Sequence, residues 1–432
     1  MRSWKRLTIA VLACLVGMSS ALAEGRLCVS VEECAALLAA DGREIIVPGE
    51  WDDVFRQTED RFALGCRSES GMRYVLVDAE GNQLSEAAYE MLSMSGEVVL
   101  FRQNGLYGAM DRSGRILVEA EYTQLTAAGD GFLAMTDDPF DEDADEIFRI
   151  TPTGEVLGTG VSSDEGLSAI RDNRMPYQNP HNERYGYIDL QGETVIEAQF
   201  ETADRFENGI ARASLDGLLG IIDADGEWKI KPEFDYLEIG DGVIVGLFNR
   251  ERMVAFNMHC QEVFRIEGTQ IEAAVAGRYP LVLEGDVLRV YSPEGDELFE
   301  TDPQSTVTAG LDGQLILSDG DWGASCASLV SPEGVRAERK DQHLIPLSDG
   351  RYAFIKMNVA AYYSEALEEV RYSCDYDSLR WGMIDSAGKE ILPAVYTEIR
   401  ALGENRFLTI AEDGLRIVDG DGNEIWSRLE EE

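Results

Sequence analysis

Histidine, cysteine and positive charge are all scarce in this chain. Its 432 residues include 3 His, 7 Cys and 37 Lys and Arg against 81 Asp and Glu. The three histidines, His181, His259 and His343, lie far apart and lack the spacing of metal ligands, so we predict no metal centre. A formal net charge of −44 argues against nucleic acid or anionic lipid as a partner, because phosphate binding needs a cationic surface.

The sequence patterns of common enzymes are also missing. The chain has no Gly-x-Ser-x-Gly elbow, no phosphate loop and no dinucleotide fingerprint. Pairs of carboxylates occur throughout because the chain is so acidic, and a general acid would need a raised pKa that spacing alone does not indicate. We therefore expect no catalytic residues and no cofactor.

Apolar runs of the roughly 20 residues that span a membrane are lacking. Near the N-terminus, basic residues precede the shorter apolar segment Leu7–Gly17, and Ala21–Ala23 supplies the small residues of a cleavage site. We interpret residues 1–23 as a signal peptide and expect a secreted or periplasmic protein. Cys14 leaves lipoprotein anchoring open as the less favoured alternative.

What the chain does contain is a repeated pattern. Tyr185–Ser214 and Leu219–Leu247 align: a residue followed by Gly begins an apolar run, Asp-x-x-Gly makes a turn, and a second apolar run ends near an aromatic residue. A polar loop and a third apolar run complete each copy. The turn recurs about every 34 residues, a period typical of solenoids and propellers. The turn positions are Asp78, Asp111, Thr151, Asp189, Asp223, Asn257, Ser292, Ser331, Asp385 and Asp419.

The apolar runs are short and rich in β-branched and aromatic residues, which favours strands. We predict an all-β fold of about ten tandem three-stranded β-meanders, stacked as an open superhelix or a propeller-like ring. A second Gly recurs inside the first strand, at 108, 186, 220 and 382. We expect it to contact the repeated aromatic residue of a neighbouring module, such as Phe200 or Phe234.

The ends and insertions of the array are predicted as follows. Residues 24–57 form an N-terminal cap, in which Leu27–Gly42 is a helix that begins at the capping box of Ser30 and Glu33. The repeats occupy residues 58–429, with an acidic insertion at 137–146 and a second insertion at 358–380.

These modules resemble the WG-repeat family of bacterial proteins. The copy most similar to the family pattern is Trp381–Gly388, WGMIDSAG, which continues to Pro393 and Tyr396. Tyr185–Gly192 has Tyr in place of Trp. The resemblance implies a β-repeat scaffold, often secreted and usually without defined catalysis, and it supplies no functional residues.

Disulfides are plausible in an oxidising compartment, because six cysteines remain after the signal peptide. Cys326 and Cys374 flank one repeat and could pair, although buried free thiols are an equal alternative in so large a chain. The remaining cysteines are Cys28, Cys34, Cys66 and Cys260.

The insertion at 358–380 is the predicted binding loop, because long loops on a rigid scaffold often carry function. It contains four tyrosines, which are Tyr362, Tyr363, Tyr372 and Tyr376. We expect a monomeric, non-enzymatic scaffold that binds a protein or cell-envelope partner, with weak divalent-cation binding left open. The alternatives are an extracellular carbohydrate-binding or glycoside-hydrolysing protein and a calcium-dependent surface protein.

Overall fold

The computed structural model of the protein describes most of the chain after residue 25. The described ranges are 26–31, 34–39, 42–46, 51–58, 60–95, 97–136, 146–152, 154–162, 167, 170–179, 181–319, 326–331, 334–340, 342–364 and 369–429. These residues form 41 β-strands and contain no α-helix. The prediction of an all-β chain is therefore confirmed.

The strands belong to two compact units, Ala23–Leu237 with Gly246–Asn249 and Glu238–Val245 with Arg250–Glu432. The strands of the first unit are β1 (Arg26–Val31), β2 (Cys34–Ala39), β3 (Glu44–Ile46), β4 (Asp53–Arg56), β5 (Arg61–Ser68), β6 (Gly71–Asp78), β7 (Met91–Ser95), β8 (Val98–Gln103), β9 (Leu106–Asp111), β10 (Ile116–Tyr122), β11 (Gln124–Ala128), β12 (Gly131–Met135), β13 (Glu146–Ile150), β14 (Val156–Ser162), β15 (Arg174–Gln178), β16 (Tyr185–Asp189), β17 (Thr194–Phe200), β18 (Thr202–Ala203), β19 (Ile210–Leu215), β20 (Leu218–Asp223) and β21 (Trp228–Phe234).

Two strands, β22 (Tyr236–Ile239) and β23 (Val243–Phe248), contain the boundary between the units. The strands of the second unit are β24 (Arg252–Asn257), β25 (Glu262–Glu267), β26 (Glu272–Ala276), β27 (Tyr279–Glu284), β28 (Val287–Tyr291), β29 (Glu297–Thr301), β30 (Thr306–Ala309), β31 (Leu315–Asp319), β32 (Cys326–Ser331), β33 (Gly334–Lys340), β34 (Gln342–Pro346), β35 (Arg351–Ser364), β36 (Glu369–Asp385), β37 (Glu390–Tyr396), β38 (Glu398–Gly403), β39 (Arg406–Ala411), β40 (Gly414–Asp419) and β41 (Glu424–Leu429).

Consecutive strands pair into small antiparallel sheets. The sheets are β1–β3, β4–β6, β7–β10, the seven-stranded β11–β17, and six four-stranded sheets from β18 to β41. In the seven-stranded sheet, a single described pair, Ser162 with Gln178, joins the meanders β11–β14 and β15–β17. The described residues thus form eleven blade-like meanders, the propeller-type arrangement of small antiparallel sheets. The prediction of ten repeats is one too few.

Most sheets have four strands, so the prediction of three strands for each module is wrong. The missing strand lies in the segment interpreted as a polar loop, as at Gln124–Ala128 and Tyr236–Ile239. This segment directly follows the fourth strand of one sheet and forms the first strand of the next sheet along the chain. It is short and only partly buried, which explains why its hydrophobic pattern is weak.

The predicted turns connect the last two strands of a meander, except at Asp78, whose turn follows β6, the last strand of its sheet. Nine of the ten turns share two backbone hydrogen bonds. The N–H of the turn residue donates to the carbonyl of the residue four positions later, and the N–H of the residue three positions later donates to the carbonyl of the turn residue. At Asp189 these bonds are 2.9 and 3.0 Å long, and the Asp189 carboxylate also accepts the N–H groups of Gln191 and Glu193. Gly192 closes the turn with a φ of 79°, as predicted. The turn after Ser331 involves residues outside the described ranges.

The N-terminal segment predicted as a helix is instead the first sheet. β1 and β2 pair antiparallel, with Leu27 opposite Leu38, and the buried Leu27 and Val29 alternate with partly exposed residues. Ser30 does not act as a helix cap, because its hydroxyl donates to the Asp53 carboxylate at 2.5 Å. Contacts between strands distant in sequence have overridden a local capping signal.

The turn that follows β2 explains why the first sheet was missed. The Ala39 N–H donates to the Arg43 carbonyl, and the Gly42 N–H donates to the Ala39 carbonyl. These bonds reproduce the bonds of the nine described turns, with Ala39 at the position usually held by Asp. Residues 26–46 are therefore an eleventh copy of the module that lacks its most recognisable residue.

Within each unit, small sheets bury apolar residues against the next sheet along the chain. One cluster combines Ile316, Leu329 and Ala327 of β31 and β32 with Tyr352 and Phe354 of β35. Another combines Tyr187 and Phe200 of β16 and β17 with Ala211 and Ala213 of β19. Phe200 also meets the Trp228 ring edge-on, with centroids 5.5 Å apart. The repeated aromatic residue thus packs between modules, as predicted.

The Asp-x-x-Gly turn also sits against the preceding sheet. A Cβ added to Gly226 would lie 2.8 Å from Cγ2 of Ile196, and one added to Gly422 would lie 3.2 Å from Cδ2 of Leu392. Both neighbours lie in the last strand of the preceding sheet, Ile196 in β17 and Leu392 in β37. Glycine is therefore favoured at this position for two reasons: the φ angle is positive, and a Cβ would come too close to the preceding sheet.

A cation or amide from the preceding sheet holds several of these turns. Three of the donors lie at or just before the second strand of their sheet, and the fourth, Arg174, begins β15; each bonds to the carbonyl of the residue that follows the turn residue. The bonds are Arg61 Nε to Arg112 O at 2.8 Å, Arg174 Nη2 to Ala224 O at 2.9 Å, Gln314 Nε2 to Ser386 O at 3.0 Å, and Arg351 Nε to Gly420 O at 2.8 Å. The contact therefore recurs in both units.

The Gly inside the third strand has a different role from the predicted one. At four repeats the last strand of the sheet bulges opposite this Gly. For example, Tyr185 pairs with Phe200 and Tyr187 pairs with Ile196, so an advance of two residues along β16 corresponds to four residues along β17. A Cβ on Gly186 would lie 2.4 Å from the Ile196 carbonyl oxygen. The expected contact with an aromatic residue of a neighbouring module is wrong, because bulged backbone of the same sheet fills this space. The equivalent oxygens at Gly108, Gly220 and Gly382 belong to Val118, Ile230 and Leu392.

Hydrogen bonding within one turn lowers the pKa of Asp111 to about 2 from its ordinary value of 3.8. The main cause is the Ser113 hydroxyl, which donates to Oδ1 at 2.5 Å, and the Arg115 side chain donates to Oδ2 at 3.0 Å. Because the folded pKa lies below the unfolded one, the ionised carboxylate stabilises the fold above pH 3.8. This stabilisation is lost as the pH falls towards about 2.

We predict that Asp111→Asn reduces the loss of unfolding free energy from about pH 5 to about pH 2. The amide keeps an acceptor for the turn, as Asn257 does naturally when it accepts the N–H groups of His259 and Gln261. Urea unfolding at a series of pH values measures the effect, and Glu121→Gln on an exposed position of β10 is the control. An acid-induced loss as steep in Asp111→Asn as in the natural protein would contradict the prediction.

Candidate functional site

The insertion at 358–380 is not a loop but the outer part of a long β-hairpin. β35 and β36 first pair within their sheet, from Arg351 with Asp385 to Lys356 with Arg380. They then continue as a ribbon, from Asn358 opposite Asp375 to Ser364 opposite Glu369. We call Asn358–Ser364 together with Glu369–Asp375 the ribbon. At about 3.4 Å for each residue, it extends about 20 Å beyond the sheet.

The ribbon has only two strands among the residues that the structure describes. β34 pairs with β35 from Tyr352 to Lys356, and β37 pairs with β36 from Trp381 to Ile384. Neither neighbour reaches the ribbon. Among the described residues, no strand pairs with either outer edge of the ribbon.

The topology brings three of the predicted site residues onto the ribbon. Tyr362 is opposite Arg371, Tyr363 is opposite Val370, and Tyr372 is opposite Ala361. Their side chains lie outside the described part of the structure. The fourth residue, Tyr376, lies at the base of the ribbon, and 68% of its surface is exposed.

A wide bulge at the base of the ribbon holds Tyr376. Between the pairs Lys356–Arg380 and Asn358–Asp375, four residues of β36 lie opposite the single residue Met357. The Ser378 hydroxyl accepts the Asn358 N–H at 2.8 Å and donates to the Asp375 carbonyl at 2.6 Å. A bulge of this kind redirects a side chain away from the regular pleat.

Arg380 fixes the other side of the bulge. Its Nη1 donates to the carbonyls of Asp377 and Leu379, each at 2.9 Å, and its Nη2 donates to the Glu412 carboxylate at 2.9 Å. Sequence reasoning missed both Ser378 and Arg380. A usable signal for the strand was present, because polar and apolar residues alternate from Glu369 to Asp377, the period-two pattern of a strand.

Other groups considered from the sequence do not form a site among the described residues. Trp51 and Trp381 pack against hydrophobic clusters, and Trp426 is 9% exposed, so packing explains these residues. His181 and His259 are exposed, and burial lowers the pKa of His343. No group of three or more His, Cys, Asp or Glu in the described ranges could hold a metal ion.

The turns that resemble calcium loops use their carboxylates internally. Oδ1 of Asp419 accepts the N–H groups of Asp421 and Asn423, each at 2.9 Å. The side-chain amide of Asn423 donates to the same carboxylate, and this bond is the main cause that lowers the pKa of Asp419. Asp223 accepts the equivalent backbone bonds from Asp225 and Glu227. Both turns are hairpin turns, as predicted.

The described residues also bear on the predictions of disulfides and of membrane-spanning segments. None of the cysteine side chains that it describes forms a disulfide, and Cys66 carries an exposed free thiol. The predicted pairing of Cys326 with Cys374 involves side chains outside the described set. Within the described ranges, no helix has the length and apolar character needed to cross a membrane.

The sequence profile of the "WG containing repeat" matches residues 185–218, 220–241 and 381–410. These three segments of the chain are WG repeats. Each of the three matched segments contains both the Gly under the bulge and the Asp-x-x-Gly turn, and the unmatched repeat at Gly108 and Asp111 contains both as well. The Gly of the WG signature leaves room for the bulged last strand of its sheet. The residue before this Gly pairs with the repeated aromatic residue, as Trp381 does with Tyr396.

Similarity to other known proteins is weak outside the WG-repeat segments. No curated protein matches the chain. BamB from Moraxella catarrhalis is 14% identical over 73% of this chain and 91% of its own, with a TM-score of 0.27. Hsv2p from Kluyveromyces lactis is 9% identical over 77% and 98%, with a TM-score of 0.27, and a eukaryotic initiation factor is 10% identical over 86% and 95%, with a TM-score of 0.45. These values assign no function to the WG-repeat chain.

We predict that Ser378→Ala loosens the ribbon and leaves its parent sheet intact. The change removes the hydroxyl that bridges the Asn358 N–H and the Asp375 carbonyl, each bond contributing about 1 kcal/mol. Amide hydrogen exchange should accelerate in the ribbon and stay unchanged at Tyr352–Ile355 in the same strand. Ser113→Ala, in a turn of another sheet, is the control. Unchanged exchange in the ribbon of Ser378→Ala would show that the bulge does not hold it.

Proposed function

We propose that the chain is a secreted or periplasmic, non-enzymatic scaffold that binds a protein or cell-envelope partner through the β35–β36 hairpin. The observation that carries this proposal is the ribbon itself. Its parent sheet is complete without it, since four strands already pair between β34 and β37. A long extension that the repeat does not need, on a rigid repeat scaffold, is a typical location for binding residues.

Tyr376 is the residue that we assign to the contact. It is the most exposed of the large hydrophobic residues that the structure describes, at 68%. The bulge beneath it is hydrogen-bonded through Ser378 and Arg380, so the residue is presented from an ordered backbone. Tyrosine is enriched in binding interfaces because it combines a large apolar ring with a hydroxyl group.

The non-enzymatic part of the proposal is supported by the titratable groups. Every carboxyl group of the described residues whose pKa departs from its ordinary value has a lowered pKa, as at Asp60, Glu90 and Asp413. A glycosidase acid needs the opposite shift. The described tryptophans discussed above pack against other residues, so they do not favour a sugar-binding face. The proposed location rests on the signal peptide predicted for residues 1–23.

Photo-cross-linking tests the proposal in cells that produce the protein. A photoreactive phenylalanine analogue replaces Tyr376 in the full-length chain, and a second variant carries it at Val195, which is 42% exposed in a different sheet. We expect a discrete adduct with one extracytoplasmic partner from position 376 and none from position 195. No adduct from position 376, or the same adducts from both positions, would contradict the proposed function.

A further inference from the structure

We propose that the ribbon binds its partner by strand addition, and that the segment added is an extended, basic stretch of another polypeptide. This inference rests on the proposed function and names its binding mode. In strand addition, the backbone of an incoming peptide continues a sheet at an exposed edge, and its hydrogen bonds supply much of the affinity.

The edges of the ribbon are suited to this role. A two-stranded hairpin is marginally stable in water, so a third strand would stabilise it. Proteins usually block long free edges with Lys, Pro or a bulge. The segments Asn358–Ser364 and Glu369–Asp375 contain no Lys and no Pro, and the bulge lies at the base of the ribbon rather than within it.

Charge identifies the partner as basic. From 358 to 377 the sequence has five acidic residues against the single cation Arg371; the acidic residues are Glu365, Glu368, Glu369, Asp375 and Asp377. Glu412 lies at the base of the ribbon, where it already pairs with Arg380. A second copy of this chain would bring another net charge of −44, so self-association through the ribbon is disfavoured.

The test uses a probe peptide of about nine residues in which Val alternates with Lys and Thr, a pattern that favours an extended strand. A second peptide has the same side chains but carries N-methyl groups on alternate residues, so that it cannot donate backbone hydrogen bonds along one edge. Fluorescence anisotropy measures the affinity of both peptides for the full-length protein. We expect N-methylation to weaken binding by about tenfold or more, because several hydrogen bonds are lost.

A variant that lacks residues 358–375 locates the edge. The paired parts of β35 and β36 remain in this variant, and its melting temperature shows whether the parent sheet still folds. We expect it to lose the discrimination between the two peptides, and any residual binding to be purely electrostatic and weakened by salt.

Three outcomes would overturn the inference: equal affinity for both peptides, binding of neither peptide, or discrimination that persists without residues 358–375. Each of these leaves the proposed function standing if position 376 still gives its discrete adduct. Conversely, peptide discrimination without an adduct would support strand addition and contradict the proposed function. The two failures are therefore distinguishable.

Discussion

Within each unit, the array depends on contacts between Asp-x-x-Gly turns and the sheets that precede them. A small sheet of three or four strands buries too little apolar surface to be stable alone, so it must cover one face with its neighbour. The turn fixes that packing at one end. Its glycine lies against the last strand of the preceding sheet, as Gly226 does against Ile196. Its carbonyl is held by a donor such as Arg174, which reaches Ala224 O.

The repeated glycines thus serve different physical needs. Gly226 needs a positive φ and a close contact with the preceding sheet, whereas Gly186 makes room for a bulged strand of its own sheet. The bulge also suits Pro232 and Pro393, because residues in a bulge need not donate to the ladder. The sequence pattern of the family therefore records two backbone constraints rather than a binding site.

The position of the ribbon follows from the same geometry. The donor Arg351 begins β35 opposite Asp385, at the end of the hairpin that carries the inter-sheet turn. The ribbon leaves from the other end. Strands β35 and β36 can therefore lengthen without disturbing the turn contact. This explains how one repeat could acquire a long extension while its parent sheet keeps four strands and a buried core that includes Ala353 and Met383.

Much of this fold was predictable from local chemistry. Asp189, Gly192 and the apolar runs beside them identify turns and strands because one tetrapeptide satisfies its own hydrogen bonds. The first sheet was missed because Ala39 replaces Asp and because Ser30 and Glu33 mimic a helix start, although Ser30 bonds to Asp53, 23 residues away. The prediction of a loop at 358–380 is wrong because it follows the length of the insertion rather than the alternation of polar and apolar residues after Glu369. The bonds of Ser378 and Arg380 depend on strand register, which no local pattern reveals.

A double-mutant cycle between Gly226 and Ile196 tests the central claim most directly. Gly226→Ala adds a Cβ that would lie 2.8 Å from Cγ2 of Ile196, and Ile196→Ala removes that neighbour at a cost of about 2–5 kcal/mol. If the turn rests on the preceding sheet, the double variant should lose less unfolding free energy than the two single variants together, by about 1 kcal/mol. Additive losses, within about 0.3 kcal/mol, would contradict the account, because the turn and the preceding strand would then be energetically independent.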